Sequence, residues 1–307
     1  MAAIAVNLKQ APTTPILFDD SGSAFVDHHR RHGFALLRDA LNLDEVAAVN
    51  ADAVRLCRGD YGRIDGADEG AQATGAAEVT DEQILRRYLC IHHPHKVSPV
   101  VGQALTAPRI VKALTAVIGP NVKAMQSMLF IKSEGKPGQA WHQDECFIPT
   151  RDRSLTAVWI ALDDATVENG CLWVLPGSHE RGVIYPARRQ QDPQFDCTTE
   201  AYDFPYRDAD AVPVEVPAGT AVVFNGYLLH RSLRNSGQRG YRRALASHYM
   251  SAESLLPWRL PADGEQMAIA DYRDIVMVAG IDPYAYKGVA DIARPHSRAD
   301  QEGGCDR

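Results

Sequence analysis

Three residues have the types and the spacing needed to hold a metal ion. His142 and Asp144 are separated by one residue, just after a Gly-rich turn where a strand should begin. Residues i and i+2 of a strand point to the same face, so these two side chains can converge on one cation. A third ligand must come from elsewhere, and His230, at the end of an apolar strand, is the best candidate. Two imidazoles and one carboxylate leave neighbouring coordination positions open, which is the arrangement of iron(II) oxygenases.

A pair of arginines follows the third candidate ligand. Arg242 and Arg243 open a later strand, and an inward arginine there could hold the remote end of a dicarboxylate in a bidentate fork. Because a buried, unpaired guanidinium is costly, an inward arginine implies an anionic partner. Period-two geometry allows only one of these neighbours to face inward. The alternative is that both lie on the surface at the end of a strand.

The elements that must position these residues change character along the chain. The first third predicts a strand over residues 33–38, a helix capped by Asn42 and Glu45 that runs to about residue 57, and a helix over 99–118. Residues 58–80 are rich in Gly, Asp and Ala and predict a loop or mobile insertion. Period-two patterns then predict strands over 122–132, 155–163, 171–175, 212–216, 220–225 and 242–250.

Many short strands separated by Gly/Pro turns are typical of a double-sheet jelly roll. We therefore predict a mainly β fold with flanking helices: one domain over residues 1–307, with a double-stranded β-helix core over about 120–252. The N-terminal helices brace the outer face of this core. Residues 298–307 are predicted to be a disordered tail.

Three segments carry a resemblance to a known family: GFALLRDALNLDEVAAV, WHQDECFIPTRDRSLTAVWIALDDATVENGCLWVLPGSHERG and LLHRSLRNSGQRGYRRALASHY. Over about residues 30–252 the chain resembles the phytanoyl-CoA dioxygenase family. The resemblance implies a jelly-roll core, iron(II), 2-oxoglutarate and dioxygen. It also implies hydroxylation of an unactivated C–H bond in a small molecule, with release of succinate and carbon dioxide.

The resemblance assigns the metal to His142, Asp144 and His230. A related branch of the superfamily halogenates, and its members lack the carboxylate so that chloride can take its place. Asp144 is present here, which favours hydroxylation.

The resemblance also implies a co-substrate site made of four residues: Arg242, Ser232, Gln143 and Trp159. Arg242 would hold the distal carboxylate of 2-oxoglutarate with help from Ser232, and the other two would line the pocket. The stretch between Asn235 and the arginine pair is one residue longer than in relatives, which leaves Arg243 as the alternative to Arg242.

Other features indicate which partners to expect. The net charge of −7 and the lack of a basic block argue against nucleic acid, and no apolar run is long enough to span a membrane. Lys9 follows the first apolar stretch, the reverse of a signal peptide, so we expect a cytoplasmic protein. The expected partner is a small-molecule substrate, and the sequence indicates no oligomeric state. The alternatives are a metal-dependent cupin-like lyase or isomerase, or a non-catalytic protein that binds small molecules.

Two further regions bear on the site. Residues 185–210 form a long, polar, aromatic connection, which predicts a mobile lid that selects the substrate. His92, His93 and His95 are interpreted as lining a cleft or lying on the surface, rather than as metal ligands. His248 shares the predicted face of Arg242 and is interpreted as a hydrogen-bonded core histidine near the pocket.

Overall fold

The hydrophobic pattern changes from helical to period-two near residue 122, where the first long strand of the main sheet begins. The structure is a computed structural model, which describes residues 15–62, 64–66, 79–258 and 266–299. Most of the predicted insertion at 58–80 lies outside these described residues.

In the described part of the chain, the α-helices all come before the first long strand. They are α1 (Ser23–His32), α2 (Leu43–Arg58), α3 (Asp81–Leu85), α4 (Pro99–Leu105) and α5 (Pro108–Val117). The capping box of α2 is confirmed, because Asn42 and Glu45 each accept a hydrogen bond from the other's backbone N–H. The single helix predicted over 99–118 is wrong. Pro108 has no N–H to continue α4 and instead starts α5.

Fifteen strands are present in the described part of the chain. They are β1 (Leu17–Phe18), β2 (Phe34–Leu37), β3 (Tyr88–His92), β4 (Val122–Lys132), β5 (Gln139–His142), β6 (Thr156–Ala161), β7 (Leu172–Val174), β8 (Ala187–Arg188), β9 (Glu200–Ala201), β10 (Val212–Val214), β11 (Ala221–Asn225), β12 (His230–Ser232), β13 (Arg242–Ser251), β14 (Val276–Ala279) and β15 (His296–Ala299).

Two facing sheets confirm the predicted jelly roll. The larger sheet has the order β1-β2-β11-β6-β13-β4-β3-β15, with β14 also paired to β4. The smaller sheet has the order β10-β7-β12-β5, and β8 and β9 form a separate hairpin. The larger sheet therefore includes strands from both sides of the predicted core at 120–252. Arg298 and Ala299 belong to β15, so the predicted disordered tail is wrong for these two residues, and residues 300–307 lie outside the described part.

Strand alternation gives the larger sheet two apolar faces. Its outer face packs against the helices, which confirms that they brace the core; one apolar cluster contains Leu129, Ile160 and Leu245 of the sheet together with Val49 and Leu105 of the helices. Its inner face packs against the smaller sheet through a second apolar cluster. Among the described residues, no helix is long and apolar enough to cross a membrane.

Candidate active site

The two candidate histidine ligands lie side by side on adjacent strands of the smaller sheet. His142 ends β5, His230 begins β12, and the two are direct cross-strand partners with ring centroids 4.1 Å apart. The register shifts between His230 and Ser232, where Gly138 comes so close that a Cβ would lie 1.8 Å from the Ser232 carbonyl oxygen. Only a glycine fits at this position, so the turn before β5 is set by the packing of the two ligand strands.

Asp144 completes the group from a different element than predicted. The strand ends at His142, and Asp144 opens a short 3-10 turn, so the two are not i and i+2 of one strand. The third ligand also begins a strand instead of ending one. The predicted convergence nevertheless holds: Oδ1 of Asp144 lies 3.8 Å from Nε2 of His142 and 3.6 Å from Nε2 of His230.

The three donors suit a divalent metal ion. One ligand atom from each residue lies within 4.8 Å of the others, and all three residues are buried. Nδ1 of His142 bonds to the Ala140 carbonyl oxygen at 2.7 Å, and Nδ1 of His230 bonds to that of Leu228 at 3.0 Å. A carbonyl oxygen only accepts, so both Nδ1 atoms carry the proton and both Nε2 lone pairs face the centre. Burial lowers the pKa of His230 to about 4, which keeps this imidazole neutral at physiological pH.

A third histidine contacts the carboxylate. Nε2 of His248, at a bulge in β13, lies 3.2 Å from Oδ2 of Asp144 and donates to it. Burial alone would raise the pKa of Asp144, but His230 and His248 hold it below its ordinary value. The interpretation of His248 as a hydrogen-bonded core residue is therefore incomplete, since its partner is the carboxylate of the metal group.

A cavity of about 270 Å³ opens between the sheets beside these ligands. Three of the four predicted co-substrate residues line it, namely Trp159, Ser232 and Arg242. Its apolar wall includes Met128, Phe130, Phe147, Ile148, Phe224 and Ala246.

Three arginines line the cavity, and they differ in their partners. Arg231 forms a bidentate pair with Asp208, and Arg298 pairs with Asp196 at 2.9 Å. Arg242 is buried, and in the described part of the chain no carboxylate pairs with it. Its Nε donates to the Gly170 carbonyl oxygen at 3.1 Å, and its guanidinium lies 5.5 Å from the ring centroid of Trp159.

The choice between the neighbouring arginines follows from their surroundings. Arg243 points outward and is held by Asp163 through Nε at 2.9 Å and Nη2 at 2.6 Å. Burial lowers the pKa of Arg242 to about 10, so its guanidinium remains charged at neutral pH. An uncompensated buried cation beside a metal group is the feature expected of a site for an anionic ligand.

Lys132 is a component that the sequence interpretation missed. It is the cross-strand partner of Arg242, and its buried Nζ donates to Ser232 Oγ at 3.0 Å and to the Leu233 carbonyl oxygen at 2.7 Å. Burial, with the nearby Arg242, lowers its pKa well below the ordinary value. Ser232 Oγ also accepts from the Gln139 N–H at 3.2 Å. The sequence signal that could have indicated Lys132 was the period-two pattern, because Lys132 lies on the same face of β4 as the apolar Phe130.

Gln143 does not line the cavity, so its predicted place in the co-substrate pocket is wrong. Its neighbours on both sides point toward the metal group, and the alternation of extended chain turns Gln143 to the opposite side. Its Nε2 donates to the carbonyl oxygens of Val183 at 3.0 Å and Tyr227 at 2.7 Å. Its Oε1 accepts from the Tyr185 N–H at 2.9 Å. Gln143 therefore links the start of the 185–210 segment to the turn that carries Asp144.

The 185–210 segment covers part of the cavity. It contains the β8–β9 hairpin, packs Tyr185 and Tyr206 into an aromatic cluster with Trp141, and places Thr198 in the cavity wall. Its predicted mobility stays a prediction.

The histidines at the end of β3 and just after it follow the cleft-lining interpretation in part. His92 lines the cavity, and its ring stacks on that of His296 with centroids 4.5 Å apart. Among the residues the structure describes, His142, Asp144 and His230 form the one group with metal-ligating geometry.

Comparisons with known proteins agree with this geometry. A sequence model of the family described as Phytanoyl-CoA dioxygenase (PhyH) matches residues 29–244. Phytanoyl-CoA dioxygenase 1 of Oryza sativa subsp. japonica is 34% identical over 164 residues, which are 53% of this chain and 57% of that protein. The match thus spans a little over half the length of this curated relative.

Two solved structures share the fold. The apo form of ThoJ, a non-heme monooxygenase, has a TM-score of 0.62 at 21% identity, covering 84% of each chain. The epimerase SnoN, in complex with Fe3+, alpha ketoglutarate and nogalamycin RO, has a TM-score of 0.57 at 21% identity, covering 79% of this chain and 91% of SnoN. At this identity the likeness establishes the jelly-roll architecture.

Proposed function

Because the chain belongs to the phytanoyl-CoA dioxygenase family, we propose that it is an iron(II)- and 2-oxoglutarate-dependent dioxygenase that hydroxylates a small molecule at an unactivated C–H bond. One observation carries the proposal. The buried guanidinium of Arg242, with no carboxylate partner in the described chain, lines the same cavity as His142, Asp144 and His230.

The metal ligands proposed are Nε2 of His142, Nε2 of His230 and a carboxylate oxygen of Asp144. Their backbone and side-chain hydrogen bonds fix both tautomers and orient the carboxylate before the metal binds. Two imidazoles and one carboxylate are the donor set typical of non-haem iron(II). When bound, iron and 2-oxoglutarate supply the oxidising chemistry, with succinate and carbon dioxide as the products of the co-substrate.

The co-substrate is proposed to lie along β13, with its distal carboxylate at Arg242. Ser232 would donate its hydroxyl proton to the same carboxylate, because both of its acceptor positions are taken by Lys132 and the Gln139 N–H. Lys132 thus positions Ser232 at this end of the site. Trp159 forms the wall on which the Arg242 guanidinium rests.

The remaining wall residues hold the organic substrate and exclude water. Phe147, Ile148 and Met128 give the cavity an apolar surface suited to a C–H-rich group. Thr198 brings the 185–210 segment into the same wall, so this segment is placed to select which molecule reaches the metal.

Asp144 supports hydroxylation over halogenation, since the carboxylate occupies the position that a halide would need. The proposed partner is therefore a small molecule, and neither nucleic acid nor membrane is part of the proposal. We also propose a cytoplasmic location, which cell fractionation would test.

Succinate release from 2-oxoglutarate, with iron(II) and ascorbate, tests the proposal against a set of candidate metabolites. The reaction should consume dioxygen and yield succinate together with a hydroxylated product. A lyase or an isomerase that does not use 2-oxoglutarate, or a binding protein on the same fold, would form no succinate, and the hydroxylated product separates a hydroxylase from other 2-oxoglutarate-dependent enzymes.

Alanine variants of the three ligands give the matching control. His142→Ala, Asp144→Ala and His230→Ala should each lose most bound iron and all succinate formation while keeping the far-UV circular dichroism of the wild type. Full activity in any of the three would refute the metal assignment.

A further inference from the structure

We propose that Arg298 binds an oxyanion of the organic substrate, which is a carboxylate or a phosphate. Without substrate the guanidinium of Arg298 pairs with Asp196, and the substrate oxyanion takes the place of this carboxylate. The proposal rests on the proposed function, since it names the chemical class of that enzyme's substrate. Arg298 comes from the C-terminal strand β15, far in sequence from the metal ligands, yet it lines the same cavity.

Strand register places Arg298 apart from the co-substrate strand. Arg298 pairs with Cys90 on β3, Cys90 with Phe130 on β4, and Phe130 with Ala244 on β13. Three strand spacings separate the backbones of β15 and β13, which is about 14 Å. The backbone of Arg298 therefore lies across the sheet from β13, and its side chain contacts Asp196 of the 185–210 segment.

The guanidinium of Arg298 has donors to spare. Nη1 donates to Oδ2 of Asp196 at 2.9 Å and the guanidinium also interacts with the Cys90 thiol, while Nε is buried and has no hydrogen-bond partner among the residues that the structure describes. The side chain as a whole remains 20% exposed, so the cavity can reach it. An arginine remains protonated in proteins, and a carboxylate or phosphate is the acceptor that matches its fork.

Asp196 can release Arg298 without losing all of its partners. Its Oδ1 accepts from the Thr198 N–H at 3.0 Å and from the Thr198 hydroxyl at 2.6 Å. These two hydrogen bonds keep the carboxylate satisfied when a ligand takes over the guanidinium. Because Thr198 lines the cavity, the exchange would take place at the cavity wall.

The alternative occupant of Arg298 is the co-substrate itself. Arg242 and Arg298 both border a small void of about 20 Å³ at the closed end of the cavity. A test must therefore separate binding of the organic substrate from binding of 2-oxoglutarate.

Three probes of equal chain length provide the test: octanoate, octyl phosphate and octanol. Each is titrated anaerobically into the enzyme loaded with iron(II) and 2-oxoglutarate, and binding is followed by the visible absorption of that complex and by tryptophan fluorescence. At least one anionic probe should bind roughly tenfold or more tightly than octanol, and the tighter of the two identifies carboxylate or phosphate as the preferred group.

The decisive result is that substitutions of Arg298 and of Asp196 have opposite effects on anion binding. Arg298→Gln should abolish the preference for the anion, whereas Asp196→Asn, which keeps the cation, should preserve or strengthen it. Arg188→Gln is the matched control, because it breaks the solvent-facing ion pair with Glu200 in the same segment. Arg298→Lys should retain part of the preference.

Three results would overturn the proposal: no preference for either anion in the wild type, equal loss of anion binding in Arg298→Gln and Asp196→Asn, or a weaker Kd for 2-oxoglutarate in Arg298→Gln. The second result would show that the Arg298–Asp196 ion pair has a structural role only, and the third would assign Arg298 to binding of the co-substrate. A wild type that forms no iron–2-oxoglutarate complex would instead refute the proposed function. Tryptophan fluorescence would still report probe binding in that case.

Discussion

His248 donates from Nε2 to Oδ2 of Asp144, and this bond leaves Oδ1 of the carboxylate facing the two ligand histidines. Both residues are buried, so water has little access to compete for the bond. The carboxylate is thereby held with one oxygen for the metal and one for the protein, which is how outer hydrogen bonds orient a ligand.

Removing this donor should weaken metal binding. His248→Phe keeps an aromatic ring at this position, but Oδ2 of Asp144 loses its hydrogen-bond donor and the carboxylate can rotate. The Kd for iron(II) should rise roughly tenfold or more, as measured by anaerobic titration. His248→Gln offers an N–H to the same oxygen and should recover part of the affinity. An unchanged Kd in His248→Phe would show that packing alone orients Asp144.

The two neighbouring arginines should differ in their effect on the co-substrate. Arg242→Ala removes the buried cation and should raise the Kd for 2-oxoglutarate about a hundredfold. Arg243→Ala removes the pair with Asp163 and the contact with the Tyr241 ring, neither of which lines the cavity, so its Kd should stay close to that of the wild type. Calorimetric titration of 2-oxoglutarate into both variants decides the matter, and a larger loss in Arg243→Ala would contradict the structure.

Gln143 should contribute to stability and not to co-substrate binding. Gln143→Ala leaves the Val183 and Tyr227 carbonyl oxygens and the Tyr185 N–H without their side-chain partner. The free energy of unfolding should fall by about 1–3 kcal/mol, measured with urea, while the KM for 2-oxoglutarate stays the same. A raised KM at unchanged stability would restore Gln143 to the co-substrate pocket.

Acid should destabilise the fold through buried neutral histidines away from the metal group. Burial, with His179 and His28 nearby, lowers the pKa of His29 to about 3, against an ordinary value near 6.5. Below pH 6.5 the unfolded chain therefore binds a proton that the folded chain does not, so stability falls as pH drops from 6.5 toward 3. Urea unfolding should show a contribution from His29 of about 1 kcal/mol per pH unit in this window.

His29→Gln removes this contribution and serves as the comparison. Its free energy of unfolding should depend less steeply on pH between 6.5 and 5 than that of the wild type. Equal slopes would mean that His29 becomes protonated in the folded protein.

The candidate metal ligands could be predicted because local chemistry marks them, whereas the choice of Arg242 over Arg243 came from the family resemblance. His142 and Asp144 lie close together in sequence, and period two in β13 allows only one of Arg242 and Arg243 to face inward. Lys132 was missed because period two puts it on one face of β4 but does not say that this face borders the cavity. That information comes from the pairing of β4 with β13.

Other features depend on contacts that no local pattern reports. Arg298 was assigned to a tail from composition, yet it belongs to a strand because β15 pairs with β3. The family resemblance implied that Gln143 lines the co-substrate pocket, and the alternation of extended chain turns this side chain away from the cavity. The break at Pro108, in contrast, was visible in the sequence, since proline starts helices more readily than it continues them.

The order of strands in the larger sheet also bears on how fast the chain folds. Leu36 of β2 pairs with Val222 of β11, and Arg298 of β15 pairs with Cys90 of β3, so both ends of the sheet close very long loops. Sheets dominated by such non-local pairing fold slowly, on the order of milliseconds to seconds for small domains, and this larger chain should be slower still. His142 and His230 come together only when β5 and β12 pair, so we expect the proposed metal site to form late in folding. Added iron should therefore slow unfolding while leaving the refolding rate nearly unchanged.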